Sequence, residues 1–192
     1  MLEDWQNLID SITLFGDSLG EIIHSSQFEY FERQFSIIFP DEYKNFCQIF
    51  GTGSFQRAFT LYSPSEYLIG QQELLILTIE YICQFPSLYP EEDLRKVDLL
   101  QNAFIFGCDC GNYIFIWDLR TYGDIDKSYD IYTLLWDSPS ETFNEEVTFF
   151  GRSMLSFVRD TLLTSKLYDL QEEGDNSNLV EYSFERYVPR LG

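Results

Sequence analysis

The stretch Ile38 to Phe55, IFPDEYKNFCQIFGTGSF, constrains the fold more than any other part of this chain. Pro40 suits the first turn of a helix, where its missing N–H leaves no bond unmade. Asp41 and Glu42 put negative charge at the positive end of the helix dipole. Tyr43, Phe46, Cys47 and Phe50 recur at i, i+3, i+4 and i+7, which is one face of a helix. Gly51 and Gly53 stop that helix and turn the chain into an apolar strand. The unit is therefore a short capped helix, a glycine turn and a strand.

The flanking sequence supplies the rest of a mixed domain. Leu2 to Phe39 reads as helical, with Trp5, Leu8, Ile9 and Ile12 on one stripe and a capping box, Ser26 with Glu29, opening a second helix over Gln27 to Ile37. Phe28, Phe31 and Phe35 give that helix its buried side. Phe55 to Tyr62 is strand-like. Gln71 to Gln84 is the longest helical candidate, with Leu75, Ile79, Ile82 and Cys83 as its core face. Ala103 to Phe106 and Tyr113 to Trp117 are apolar runs joined by Gly107 to Asn112, a hairpin with a six-residue loop. Tyr129 to Trp136 is apolar on both faces and belongs inside a sheet, Glu146 to Phe150 is a further short strand, and Ser153 to Leu163 is a helix. This order is an α+β arrangement.

The helix–turn–strand unit and the hairpin together carry a family resemblance. The order Pro-acid-acid-Tyr-x-x-Phe, then Gly-Thr-Gly-Ser-Phe, resembles the signature of the SUKH superfamily, which includes bacterial immunity proteins and fungal cell-wall regulators. FGCDCGNYIFIWD is similar to that family's central motif, with Gly107, Asp109, Gly111, Phe115 and Asp118 in the matching places. Phe50 before Gly51 departs from the Asn-Gly of many relatives and points to a subgroup. The resemblance covers roughly Gln27 to Leu163. It implies N-terminal helices and a later helix packed on one side of a mainly antiparallel sheet. Residues 1–167 then form a single SUKH-like domain, and 168–192 an acidic linker with an added strand. In that tail Val180, Tyr182 and Phe184 alternate with polar residues. The strand reads as an addition to the domain's own sheet edge, as a swapped or partner-binding arm, or as a frayed end.

Charge narrows the function. Against 32 Asp and Glu stand 12 Lys and Arg, a formal net charge of −20. Phosphate backbones and anionic membrane surfaces would repel such a chain, so neither nucleic acid nor membrane is an expected partner. A basic protein would be drawn in from a distance, although the same charge also serves plain solubility. The four cysteines, Cys47, Cys83, Cys108 and Cys110, lack zinc spacing, and the only histidine, His24, is remote from Cys108-Asp-Cys110 in sequence. Cys47 and Cys83 read as small core residues. Met1 to Gly16 is not a secretory signal and no apolar run is long enough to span a bilayer, so the expected location is cytoplasmic.

No catalytic, cofactor-binding or metal-ligating residue is assigned. His24 lies beside Ser25 and Ser26 with no acid fixed to orient it, and reads as a surface or capping residue. Asp109 with Asp118 is the best carboxylate pair for acid–base work, but Asp109 reads more simply as a turn former and Asp118 as the end of a strand. The aromatic share, 18%, suits binding better. The candidate partner-binding residues are Asp109, Asp118, Tyr122, Asp124, Asp126, Tyr129, Asp130, Trp136 and Asp137. The resemblance implies an immunity protein that blocks a basic toxin domain, a nuclease or deaminase, by occlusion. The alternative is an intracellular adaptor or regulator without a toxin partner.

Overall fold

The computed structural model describes residues 2–16, 23–89, 91–109, 113–135, 147–164 and 182–186. Along the chain run α1 (Leu2–Asp10), β1 (Thr13–Phe15), α2 (Ser25–Phe35), α3 (Asp41–Ile49), β2 (Gly53–Phe55), β3 (Phe59–Leu61), α4 (Glu66–Gln84) and α5 (Glu91–Leu100). Then come β4 (Ala103–Asp109), β5 (Tyr113–Asp118), β6 (Asp130–Leu135), β7 (Thr148–Phe149), α6 (Met154–Phe157) and β8 (Ser183–Arg186). The fold is α+β. Its strands form one open sheet in the order β1-β8-β2-β3-β4-β5-β6-β7, antiparallel throughout except for the β1–β8 pair.

Aromatic packing places the helices. Tyr43, Phe46, Cys47 and Phe50, the periodic residues of α3 and its C-cap, are all buried. Tyr43 meets Trp117 of β5 edge-on at 4.9 Å and donates its hydroxyl to the Tyr62 carbonyl at 2.7 Å, so one side chain fixes α3 to two parts of the sheet. Phe35 at the end of α2 and Phe39 before α3 reach Phe104 of β4, while Phe157 of α6 reaches Phe106 and Phe115. Glu42 accepts from the Ser153 hydroxyl at 3.0 Å and the Leu155 N–H at 3.2 Å. Its charge thus sits at the N-terminus of α6 as well as at that of its own helix. On α4 the buried Gln72 amide takes both backbone groups of Ile105, donating to its carbonyl at 2.7 Å and accepting from its N–H at 3.2 Å. The last registered β3–β4 pair is Leu61 with Gly107, so Gln72 satisfies the part of β4 that β3 is too short to cover.

The structure departs from the sequence expectation at several points. The N-terminal helical stretch is broken by β1, and α2 opens at His24, whose backbone N–H donates to the Gln27 side chain at 2.9 Å; the capping box is not Ser26 with Glu29. The expected strand from Phe55 to Tyr62 is a hairpin turning at Gln56 and Arg57, both left-handed at φ 52° and 56°. The turn lacks the usual Asn-Gly signal, and instead Gln56 is held by its N–H to the Ser183 carbonyl and its side chain to the Leu162 carbonyl. α4 begins at Glu66, five residues before Gln71, under a Ser65 cap. Cys83 is exposed. β4 runs on to Asp109, so the hairpin loop is shorter than six residues.

Both chain ends enter the sheet. β8 lies between β1 and β2, inside the sheet. Phe184 is fully buried against Phe46, Phe50 and Phe55 at 6.2, 5.0 and 4.6 Å. Arg186 donates to the Ile49 carbonyl at 2.6 Å and the Phe50 carbonyl at 3.1 Å, capping the C-terminus of α3 with a cation. From the other end Trp5 of α1 packs on Phe46 and Phe50.

Candidate functional site

The segment between β5 and β6, residues 119–129, is folded by two arginines. Asp118 accepts from the Arg120 N–H at 3.1 Å and from its guanidinium at 2.8 Å through both carboxylate oxygens, and Arg120 reaches on to Asp98 at 2.6 Å. Burial pushes the Asp118 carboxyl up, but the hydrogen bonds and charge of Arg120 outweigh it and hold the group below the usual carboxylate range. Arg152, arriving from between β7 and α6, binds Asp126 at 2.6 Å, Asp130 at 2.5 Å and the carbonyls of Thr121 and Ser128 at 2.8 and 2.7 Å. Hydrogen bonds from Arg152 hold the Asp126 carboxyl low. The Ser128 hydroxyl returns a bond to the Arg152 carbonyl. A Cβ at Gly123 would run into the Asp126 carboxylate and stand 2.8 Å from the Arg152 guanidinium, so a larger residue there would displace this ion pair.

The clamp presents an outer surface. Tyr129 is buried and its hydroxyl accepts the Ile38 N–H at 3.3 Å, tying the α2–α3 connector to the start of β6. Tyr122 lies against Tyr129 with ring centroids 4.9 Å apart. Burial raises the Tyr122 phenol, and the negative charges of Asp41, Asp124, Glu32 and Asp126 raise it further. Glu32 is engaged by Lys44 at 2.8 Å and by the Phe39 N–H. Asp41 and Asp124 are exposed and form no ion pair among the described residues. Ile125, between Asp124 and Asp126, is 100% exposed, and Ile38 is 52% exposed. The exposed side chains of this surface are Ile38 and Ile125, the acids Asp41, Asp124 and Asp126, and Lys127.

Of the residues singled out from sequence, Asp118, Tyr122, Asp124, Asp126, Tyr129 and Asp130 come together at this end of the sheet. Asp109 does not. It ends β4 at the other end of β5, where its carboxylate accepts the Tyr113 N–H at 2.9 Å. The length of β5 separates it from Asp118 by about 17 Å at ~3.4 Å per residue. The two carboxylates therefore cannot share one proton-transfer site. Asp118 and Asp126, each held ionised by an arginine, are also poor proton donors near neutral pH. Trp136 and Asp137 lie outside the described residues. Among the described residues no three His, Cys, Asp or Glu side chains converge as metal ligands. Sequence reasoning missed Ile38, Asp41, Ile125 and Arg152; an isoleucine between two aspartates in a polar loop was the one available signal.

The chain has a counterpart among known families. The family model SUKH_6, described as SMI1-KNR4 cell-wall, matches residues 25–158, well over half of the chain. The chain belongs to the SUKH_6 family. The wider SUKH group includes immunity proteins. Neither a curated protein nor a solved structure matches this SUKH_6 chain. The matched residues include the acidic surface around Tyr122 and all of β2 to β7, while α1, β1 and β8 lie outside the match. Among the described residues no helix is long and apolar enough to cross a membrane.

Proposed function

We infer that this protein is an immunity protein that binds a basic toxin domain, of the nuclease or deaminase kind, and neutralises it by covering its active site. The observation that carries the reading is the fully exposed Ile125, in the same loop as Tyr122, whose phenol feels the negative charge of Asp41 and Asp124. An isoleucine held in water by a rigid loop is an anchor awaiting a pocket. Its acidic surroundings favour a partner whose active-site rim is positive, as surfaces that grip phosphate are. Family membership supports a protein-binding role, and the −20 charge supports fast capture.

Co-expression with the product of the neighbouring open reading frame, scored for rescue of growth, tests the reading. The wild-type chain rescues growth, whereas Ile125→Asp and Tyr122→Ala, both folded by circular dichroism, lose rescue. The association rate measured with the purified toxin domain falls as salt rises from low to physiological ionic strength. Rescue by both variants, or an association rate indifferent to salt, refutes the assignment to this surface; a neighbouring product with no toxicity favours the adaptor reading.

A further inference from the structure

The outer face of α4 meets water. Its inner side is committed, with Leu68, Leu75, Ile79 and Ile82 buried and Gln72 bonded to β4. Its outer side ought to be polar, yet Leu74 is 49% exposed, Leu77 62% and Tyr81 42%, and Leu88 just past the helix is 65% exposed. A surface helix normally confines its apolar residues to the core-facing stripe. Within α4 three of these outward residues follow the 3–4 alternation of a coiled-coil seam, Leu74, Leu77 and Tyr81 falling at a, d and a, while the exposed Ile76 lies beside it and Leu88 lies beyond the helix end. Gly70 falls at the preceding d position, and an added Cβ there would meet no atom within 4 Å, so the seam is uncovered where it begins.

Charge identifies the occupant. With this register Glu66, Glu73 and Glu80 are all exposed and all at g, one heptad apart, and α4 contains no lysine or arginine. In a helix pair the g residues face charged residues of the partner and choose it by sign. A second copy of this chain is a poor match, because an antiparallel pair of α4 helices sets these glutamates against each other and each chain carries −20. Residues 136–146 and 165–181 of the same chain each carry a net charge of −4 and are no better suited. We propose that the outer face of α4 is a docking seam for an amphipathic helix of a partner protein, one with an apolar a/d stripe flanked by lysine or arginine. This seam does not depend on the loop surface around Tyr122.

The probe is a pair of helical peptides of about three heptads with leucine at a and d, one with lysine and the other with glutamate at e and g. Isothermal titration into the full chain is expected to show binding of the lysine peptide and not of the glutamate peptide. Leu77→Asp should weaken the lysine peptide at least about tenfold. The double variant Glu73→Lys/Glu80→Lys should exchange the preference, taking the glutamate peptide. Ile125→Asp, in the other surface, should change neither, which separates this proposal from the function inferred above. Lysine-peptide binding that survives both α4 variants would be general attraction to an acidic chain and would overturn the proposal. Binding of neither peptide would overturn it too, as would a dimer in sedimentation that Leu77→Asp dissolves.

Discussion

Replacing Phe184 with alanine tests whether the C-terminal strand is part of the folded core. The ring is fully buried and touches Phe46, Phe50 and Phe55, the nearest centroid at 4.6 Å. Phe→Ala in such a setting costs about 3–5 kcal/mol, the lost transfer energy plus the cavity left behind. Native domains are stable by only about 5–15 kcal/mol, so this one change removes a large share. For a chain of this size each kcal/mol moves the melting temperature by roughly 2–4 °C, giving a fall of about 6–20 °C. Phe184→Leu keeps most of the volume and forfeits the ring geometry, and should cost about 1–2 kcal/mol. Urea unfolding followed by far-ultraviolet circular dichroism and by tryptophan fluorescence measures both. Trp5 is a local reporter, because it sits 5.7 and 5.9 Å from the Phe46 and Phe50 rings that Phe184 also contacts. A loss under about 1 kcal/mol for the alanine variant would refute the reasoning, because β8 would then be lying on the sheet without stabilising it.

Gln72→Leu should destabilise by about 2–4 kcal/mol, since it leaves both backbone groups of Ile105 buried and unpaired; chemical denaturation against wild type measures it. Thr133→Val should stabilise by about 1 kcal/mol, visible as a higher melting temperature, because the Thr133 hydroxyl is wholly buried with no hydrogen-bond partner among the described residues. Arg152→Met should flatten the acid end of the stability profile. The folded Asp126 carboxyl is depressed, so its contribution is complete above the unfolded carboxylate pKa and is lost as pH falls through the lower folded value. Urea titrations at falling pH, below about 4, should therefore show wild type and variant converging, and a constant gap would contradict the clamp.

The parts of this fold that were legible in sequence are those written in neighbouring residues. α3 declared itself because Pro40, its first-turn acids and its aromatic periodicity all lie within a few residues of each other. The β4–β5 hairpin did so because two apolar runs flank a glycine-rich loop. β1 did not, since Thr13-Leu14-Phe15 is three residues long and, among the described residues, its ladder is with residues 183–185, 170 positions away in sequence. A strand made by distant pairing leaves no local period. The turn at Gln56 and Arg57 was hidden for the same reason, because contacts to residues 162 and 183 fix a conformation these residues rarely adopt. In the candidate site the aspartates could be named from sequence, but their roles could not. Whether a carboxylate faces a partner or an arginine depended on Arg152, which lies 26 residues from Asp126 in sequence.

That last point explains how a chain with so few cations can present so acidic a surface. At least six of the 12 lysines and arginines, namely Lys44, Arg57, Arg95, Arg120, Arg152 and Arg159, are engaged in ion pairs within the fold, and Arg186 is spent on the end of α3. Isolated surface pairs of this kind add little stability. Arg152 differs, because one guanidinium gathers two carboxylates and two carbonyls into a fixed loop. Arg120 and Arg152 shape the loop between β5 and β6, while Asp41, Asp124, Glu66, Glu73 and Glu80 face water, as do Arg57, Arg95 and Arg159 within their ion pairs. A basic partner approaching α4 meets a field that no lysine or arginine of that helix opposes, whereas at the loop surface the exposed Lys127 partly opposes it. A neutralising substitution at an exposed acid should accordingly slow association, whereas one at Asp126 or Asp130 should act first on the loop's conformation.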